Sequence, residues 1–303
     1  MNRFRADLCL LLTAVIWGTA FIAQKTANAT MGQVSFVGAR FALSALMVAP
    51  LAIREARRST QAVTRRDVIL ATLLGLGLFT GSTLQQMAMM TASATNGGFL
   101  TALYVVLVPF ASWILAGERI RGFVMLACVV SVSGAWLLTY TGEAHTWQQG
   151  DILLVVADVA WAFTISLTGL FLRHTQRIFF LAFTQYAITG VLGLAAGLVL
   201  EPATYEGWQA AMPSILYAGL VSGGIAFTLQ IVAQRHTPAP EAALIMSLES
   251  VFAAIAGAMF LGERLTALAM VGCVLILCGV MTAEIGPTLL ARFKSGRDQS
   301  RAT

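Results

Sequence analysis

The chain is short of charge. Asp, Glu, Lys and Arg make up only 11% of its 303 residues, against roughly 25% in soluble domains. Residues 68–117 hold none at all. Histidine is almost as scarce: His145, His174 and His236 all fall in predicted loops. The four cysteines, Cys9, Cys128, Cys273 and Cys278, sit inside apolar runs with no metal-ligand spacing. No phosphate-binding loop, no HExxH and no Gly-Xaa-Ser-Xaa-Gly occurs. These absences argue against an ATPase, a metal or other cofactor site, and an intramembrane hydrolase; the chain reads as no enzyme. The net charge of +5 forms no patch, because the basic residues are scattered between apolar blocks. A nucleic-acid partner is therefore not expected.

What is present is apolar surface. The chain is 58% hydrophobic with a mean hydropathy of +0.79, more than water can solvate. Crossing the hydrocarbon core takes about 20 apolar residues, since a helix rises about 1.5 Å per residue. The runs are long and continuous rather than alternating, which excludes a β-barrel. Ten spans are predicted: 7–24, 34–53, 68–90, 95–116, 121–140, 151–172, 177–200, 212–234, 239–261 and 267–286. The uncharged stretch 68–117 is too long for one crossing, and "TASATNGG" (91–98) is its natural break. Residues 8–24 read as a retained first helix, not a signal peptide.

Loop charges set the orientation. With the N-terminus inside, the inner segments hold 16 Lys and Arg, and the outer segments hold Lys25 and Arg264. Both termini are then cytoplasmic, in a multi-pass protein of a bacterial inner membrane.

The sequence also repeats itself. Gly117-Glu118-Arg119 and Gly262-Glu263-Arg264 lie 145 residues apart, and at the same shift Thr-Leu-Gln at 83–85 falls on Thr-Leu-Gln at 228–230. A shift of 144 places Trp17 on Trp161. The expected architecture is an all-α membrane protein of ten helices built as two five-helix repeats. Residues 1–140 form the first, 151–290 the second, and 291–303 a basic cytoplasmic tail. Five is odd, so the second repeat enters the membrane inverted, an arrangement common in secondary transporters.

"AVIWGTAFIAQK" (14–25), "ARFALSAL" (39–46) and the paired "AGERI" and "LGERL" endings resemble the drug/metabolite transporter superfamily, EamA type. The resemblance covers nearly the whole chain. Within that superfamily the chain is most similar to the aromatic amino-acid exporters of the YddG type. The resemblance implies a ten-helix exporter of amino acids or related metabolites.

Ionisable residues inside a bilayer are costly and mark functional candidates. Three lie well inside spans: Arg40, Asp158 and Glu249. Arg40 reads as structural, snorkelling or paired with a carboxylate. Asp158 precedes Trp161 by three residues and so shares its face. Carboxylate and indole together suit an ammonium group; a hydrogen bond to a neighbouring helix is the other reading. Glu249, whose repeat mate is Tyr104, is flanked by small residues, and a buried carboxylate there suits proton coupling; a structural partner for Arg40 is its alternative. Trp17 and Trp161 lie near the midplane. Gln85 and Gln230, with Asn96 nearby, need partners in hydrocarbon and either join helices or bind substrate. Pro109, the only proline deep inside a predicted span, should kink the fourth helix and serve gating.

One core arginine argues against polyanionic substrates. Trp, Tyr, Gln and two carboxylates suit neutral, zwitterionic or cationic solutes. The reading is a secondary transporter that exports amino acids, aromatic or neutral, by alternating access. A multidrug or cation exporter, a channel, and a lipid flippase remain as alternatives on the same scaffold. Expected partners are the small-molecule substrate and the lipid bilayer, with proton coupling open, in a monomer or weak oligomer.

Overall fold

A computed structural model describes residues 1–92, 94–139, 148–202, 204–264 and 266–283. Every regular element among them is helical: α1 (Arg3–Asn28), α2 (Gln33–Arg58), α3 (Arg65–Ala88), α4 (Ala94–Thr101), α5 (Tyr104–Ala116), α6 (Gly122–Thr139), α7 (Gln149–His174), α8 (Ile178–Leu200), α9 (Tyr205–Leu216), a π-helical segment (Tyr217–Ala226), α10 (Phe227–Ala233), α11 (Ala239–Met246) and α12 (Glu249–Leu261). A last helix, α13 (Ala267–Ala283), follows. Eight helical stretches are long and apolar enough to cross a membrane, and Gly122–Leu138 and Ala267–Ala283 are shorter apolar helices. Many large apolar side chains face outward, Leu46, Ile114 and Val199 among them, as a lipid-embedded surface requires.

Polar residues start and stop the helices where the sequence leaves the apolar runs. Asn2 caps α1 by accepting from the Arg5 amide at 3.0 Å. Thr64 and Asp67 form a capping box on α3. α2 and α8 cap each other. Glu55, near the end of α2, accepts from the Phe179 and Phe180 amides at 3.1 and 2.8 Å. Glu201, just past α8, accepts from the Val34 and Ser35 amides at 2.9 and 2.8 Å. Each carboxylate meets the unpaired N–H groups and positive dipole end of the other helix. Between these clamps the backbones touch: a Cβ on Gly38 would stand 2.5 Å from the Gly193 carbonyl carbon. The Gly193–Gly197 pair is thus a packing device, as its spacing suggests.

Two expected spans are cut. The fourth runs as α4 and α5, interrupted at Ala102 and Leu103; the ninth runs as α11 and α12, interrupted at Ser247 and Leu248. The two cuts sit 145 residues apart, at matching repeat positions. At each the ladder tightens. Val105 donates to Ala102 O and Ser250 to Ser247 O, three residues back rather than four. Pro109 does not cause its cut. It lies inside α5, and the equivalent cut in α11–α12 has Ala254 at the matching place. What Pro109 does is deprive the Val105 carbonyl of its helical donor, and the Cys128 thiol donates to that carbonyl instead, at 3.3 Å. Pro50 and Pro213, near the ends of their predicted spans, lie well inside helices, because α2 runs on to Arg58 and α9 starts at Tyr205.

Candidate functional site

A central cavity is lined chiefly by residues of α1, α2, α3, α5, α7, α8, α10 and α12. Seven of the residues singled out from sequence line it: Trp17, Arg40, Gln85, Tyr104, Trp161, Gln230 and Glu249. Asp158 lies outside the lining, and the side chain of Asn96 falls outside the described residues. Pro109 lines a different cavity, with Arg121, Arg173 and Glu241.

The aromatic wall is built by the two tryptophans. Trp17 on α1 and Trp161 on α7 both pack on Phe227, the first residue of α10, with ring centroids 4.5 and 5.9 Å apart. Trp161 lies flat because α3 carries Gly81 beneath it; a Cβ there would stand 3.1 Å from the indole. Both indole N–H groups are satisfied. Trp17 donates to Ser222 O at 3.4 Å and Trp161 to Gln85 Oε1 at 3.1 Å. Phe41 and Tyr186 extend the cluster behind Phe227.

The amides are chained. Gln85 Nε2 donates to Gln24 Oε1 at 3.2 Å. Gln86 donates to the Gln24 carbonyl and to Asn28 Oδ1. Gln230 donates to Gln234 at 3.1 Å, and Gln234 to Ile165 O at 3.0 Å. Gln85, Gln86 and Gln234 thus join helices, and Gln24, Gln85 and Gln230 edge the cavity.

The charges are not paired. Arg40 on α2 is 4% exposed and lines the cavity. It makes no ion pair among the described residues, its Nε has no hydrogen-bond partner, and Phe36 and Phe41 flank its guanidinium at 5.5 and 5.0 Å. Glu249 is 3% exposed, and its Oε1 has no partner. The ion pair between Arg40 and Glu249, considered as the structural explanation of both, does not form. An unpaired guanidinium in a water-poor site demands an anion, and an unpaired carboxylate demands a cation. One cavity presents both demands.

Sequence reasoning took Arg40 for a structural residue and passed over Phe227. The repeat gave no signal for Phe227, since its mate is Ser82. Arg40 was legible in principle: it is the one basic residue inside a span, and no acid sits three or four residues away on its own helix.

A second charged group gathers around the start of α11 and borders the other cavity. Glu241 at the start of α11 accepts from Arg3 at 3.3 Å and from Arg121 at 3.1 Å. Thr237 donates to Asp7 at 2.8 Å, and Arg173 pairs with Glu118. At the opposite end of α12, Glu263 accepts from the Thr95 amide and hydroxyl.

Comparison with known proteins follows the same lines. The profile of the EamA-like transporter family matches residues 4–140 and again 148–283. An uncharacterized transporter of Archaeoglobus fulgidus is 28% identical over 286 residues, covering 94% of this chain and 87% of its own. The threonine/homoserine exporter RhtA of Escherichia coli (strain K12) is 29% identical over 197 residues, 62% of this chain and 61% of that exporter. One crystal structure, 16% identical, superposes with a TM-score of 0.75 over 93% of this chain and 98% of its own. At that identity it speaks for the fold alone.

Proposed function

The chain belongs to the EamA-like transporter family, and on that premise we propose that it exports neutral or aromatic amino acids through its central cavity. The carrying observation is that two opposite charges, Arg40 and Glu249, line one cavity and neither forms an ion pair among the described residues. Arg40 is placed to take an α-carboxylate by a charge-assisted, forked contact. Glu249 is placed to take an α-ammonium, with Tyr104 beside it. Trp17, Phe227 and Trp161 then receive an apolar or aromatic side chain, and Gln85 and Gln230 edge the space. Similarity to a threonine/homoserine exporter supports this substrate class without fixing a member of it. A cationic drug fits poorly, because Arg40 would repel it.

In this reading all ten apolar helices cross the membrane, the two shorter ones included. Both termini are cytoplasmic, and the two five-helix repeats are inverted relatives that rock about the cavity. The membrane is the bacterial inner membrane. The ionic group at Glu241 then closes the cytoplasmic end and the Glu263–Thr95 contact the outer end, with Pro109 in the helix between them. Alternating access breaks one closure while the other holds.

Counterflow in proteoliposomes tests the proposal. Vesicles loaded with unlabelled phenylalanine should transiently accumulate labelled phenylalanine or threonine. Phenethylamine, which keeps the amine and ring but lacks the carboxylate, should neither accumulate nor compete. Equal handling of the amine would overturn the zwitterion reading in favour of a cation exporter; voltage-driven flux without saturation would make the protein a channel.

A further inference from the structure

The second cavity, which Pro109 borders, is a cleft of about 410 Å³. That is inside the range of about 300–1,000 Å³ for small-molecule pockets. It lies further along helices that also wall the central cavity. On α5 the wall passes from Tyr104 to Pro109, and on α7 from Thr168 to Arg173. Each step is five residues, or about 7.5 Å of helix rise. On the facing side the wall passes from Ile231 on α10 to Pro238, and from Glu249 back to Glu241 on α11. The cleft thus stands beneath the central cavity, at the end where α5, α7 and α10 stop and α11 begins.

The charges of the cleft do not balance. Two carboxylates line it, Glu118 and Glu241, and both are taken. Arg173 pairs with Glu118; Arg3 and Arg121 pair with Glu241. Arg119 also lines the cleft. It is exposed and forms no ion pair among the described residues. Arg121 and Arg173 each reach their glutamate through one terminal nitrogen, whereas a guanidinium carries five N–H donors. Donors are therefore left over while both acids are occupied. Ile120, Val124, Pro238 and Pro240 make the rest of the wall apolar. The central cavity differs, because there Glu249 is available to an ammonium group. Spare guanidinium donors beside apolar walls recognise a carboxylate on an apolar body, and nothing here is left for an amine.

We propose that this cleft is a second solute site, which binds the carboxylate of a small apolar acid or amino acid through Arg119, Arg121 and Arg173. Its use as the cytoplasmic anteroom of an exporter rests on the transport reading above; carboxylate binding itself does not. In that use it gathers substrate beneath the central cavity before Arg40 takes the same carboxylate. A carboxylate arriving at Arg121 competes with Glu241 for one guanidinium, so occupancy of the cleft loosens the ionic group at the start of α11. A lipid phosphate would satisfy the same donors. The place of the cleft, under helices that wall the central cavity, favours a solute.

The test is protection of Arg119 from phenylglyoxal, a reagent for guanidinium groups, in the full-length protein in detergent. Each arginine is read by peptide mass spectrometry, with Arg57, exposed at the end of α2, as the reference. The probe is 3-phenylpropionate, which is phenylalanine without its amine and so lacks what Glu249 would hold. It should slow modification of Arg119 saturably and leave Arg57 unchanged. Phenylalanine should do the same, and phenethylamine should not. Arg40→Gln should keep the protection, which separates this cleft from the central cavity. Arg173→Gln frees Glu118 beside Arg119 and should raise the half-protecting concentration about fivefold, the upper range for one exposed ion pair. Phosphatidylglycerol and phosphatidylcholine in mixed micelles are the lipid arms. Protection by phosphatidylglycerol but not by 3-phenylpropionate would assign the arginines to a lipid phosphate and overturn the proposal. So would equal protection of Arg119 and Arg57, no protection at all, or protection that disappears in Arg40→Gln. Protection without amino-acid counterflow would support the site and overturn the transport reading alone.

Discussion

Gly117 and Gly262 are the two described residues with positive φ, 64° and 69°, and they stand 145 residues apart. Each ends the second half of a cut helix, α5 or α12. Each is followed by a glutamate whose amide reaches back to a carbonyl six residues earlier, Glu118 to Ser112 and Glu263 to Gly257. The repeated Gly-Glu-Arg is thus a repeated left-handed helix stop. Its glycine supplies the turn, and its glutamate ties down a neighbour: Arg173 in one copy, Thr95 in the other.

Replacing either glycine by alanine forces a side chain into the left-handed region, which costs about 1–2 kcal/mol. There is open space around both positions, so the cost is conformational rather than steric. Gly117→Ala and Gly262→Ala should therefore lower the unfolding temperature by similar amounts in detergent. A large asymmetry between them would show that the two stops are not equivalent.

Arg40→Gln removes the charge and keeps some of the polarity. Charge-assisted hydrogen bonds contribute about 1.5–3 kcal/mol, or roughly 10- to 100-fold in apparent affinity. Counterflow should need that much more substrate. Arg40→Lys should recover only part of it, because an ammonium cannot form the fork. Folding should be kept, since no protein ion pair is broken. Unchanged affinity in Arg40→Gln would remove Arg40 from the substrate site.

Phe227 is the shared contact of both tryptophans. Phe227→Ala should cost about 3–5 kcal/mol of stability and release Trp17 and Trp161 together. Tryptophan fluorescence of the variant should shift for two indoles. Phe227→Leu keeps most of the volume and should be far milder.

Gly18 tests the close approach of α1 to α12. A Cβ there would stand 2.5 Å from Phe252 Cβ and 2.8 Å from the Ala253 amide nitrogen. Gly18→Ala should destabilise by about 1–3 kcal/mol, the usual range for overpacking. The matching position in the second half already holds Ala162, so Ala162→Gly should cost much less, on the order of the propensity difference of about 1 kcal/mol. Comparable unfolding temperatures for Gly18→Ala and the wild type would show that the two helices part easily.

The sequence shows some of this plainly and hides the rest. Trp17 and Trp161 were legible because indoles at matched mid-span positions are rare events in an apolar chain, and they do meet on one wall. The glycine stops were legible because charge resumes after them. The cut at 102–103 was not, because Ala102 and Leu103 are as apolar as their neighbours; at 247–248 the polar Ser247, Glu249 and Ser250 were there to see but do not by themselves mark a break. The surroundings of Arg40 were hidden because a lone buried charge has the same sequence signature whether it faces a protein carboxylate or a cavity. Asp158, three residues before Trp161, does not join the lining that Trp161 joins, and spacing alone could not tell the two apart.

The π-helical segment adds a mechanical property. Tyr217–Ala226 is wound more widely than the helices on either side, and its turns are gripped by α1 and α2. Thr13 holds Ala226 O, Trp17 holds Ser222 O, Ser44 holds Gly219 O, and Thr19 meets the Tyr217 hydroxyl. The whole rod, Tyr205–Ala233, has 29 residues, where α3, its counterpart by repeat position, has 24. A wide turn is stored length. Rewinding it to ordinary α pitch would extend the rod and swivel α10 about its axis, carrying Phe227 and Gln230 around while the far ends stay fixed.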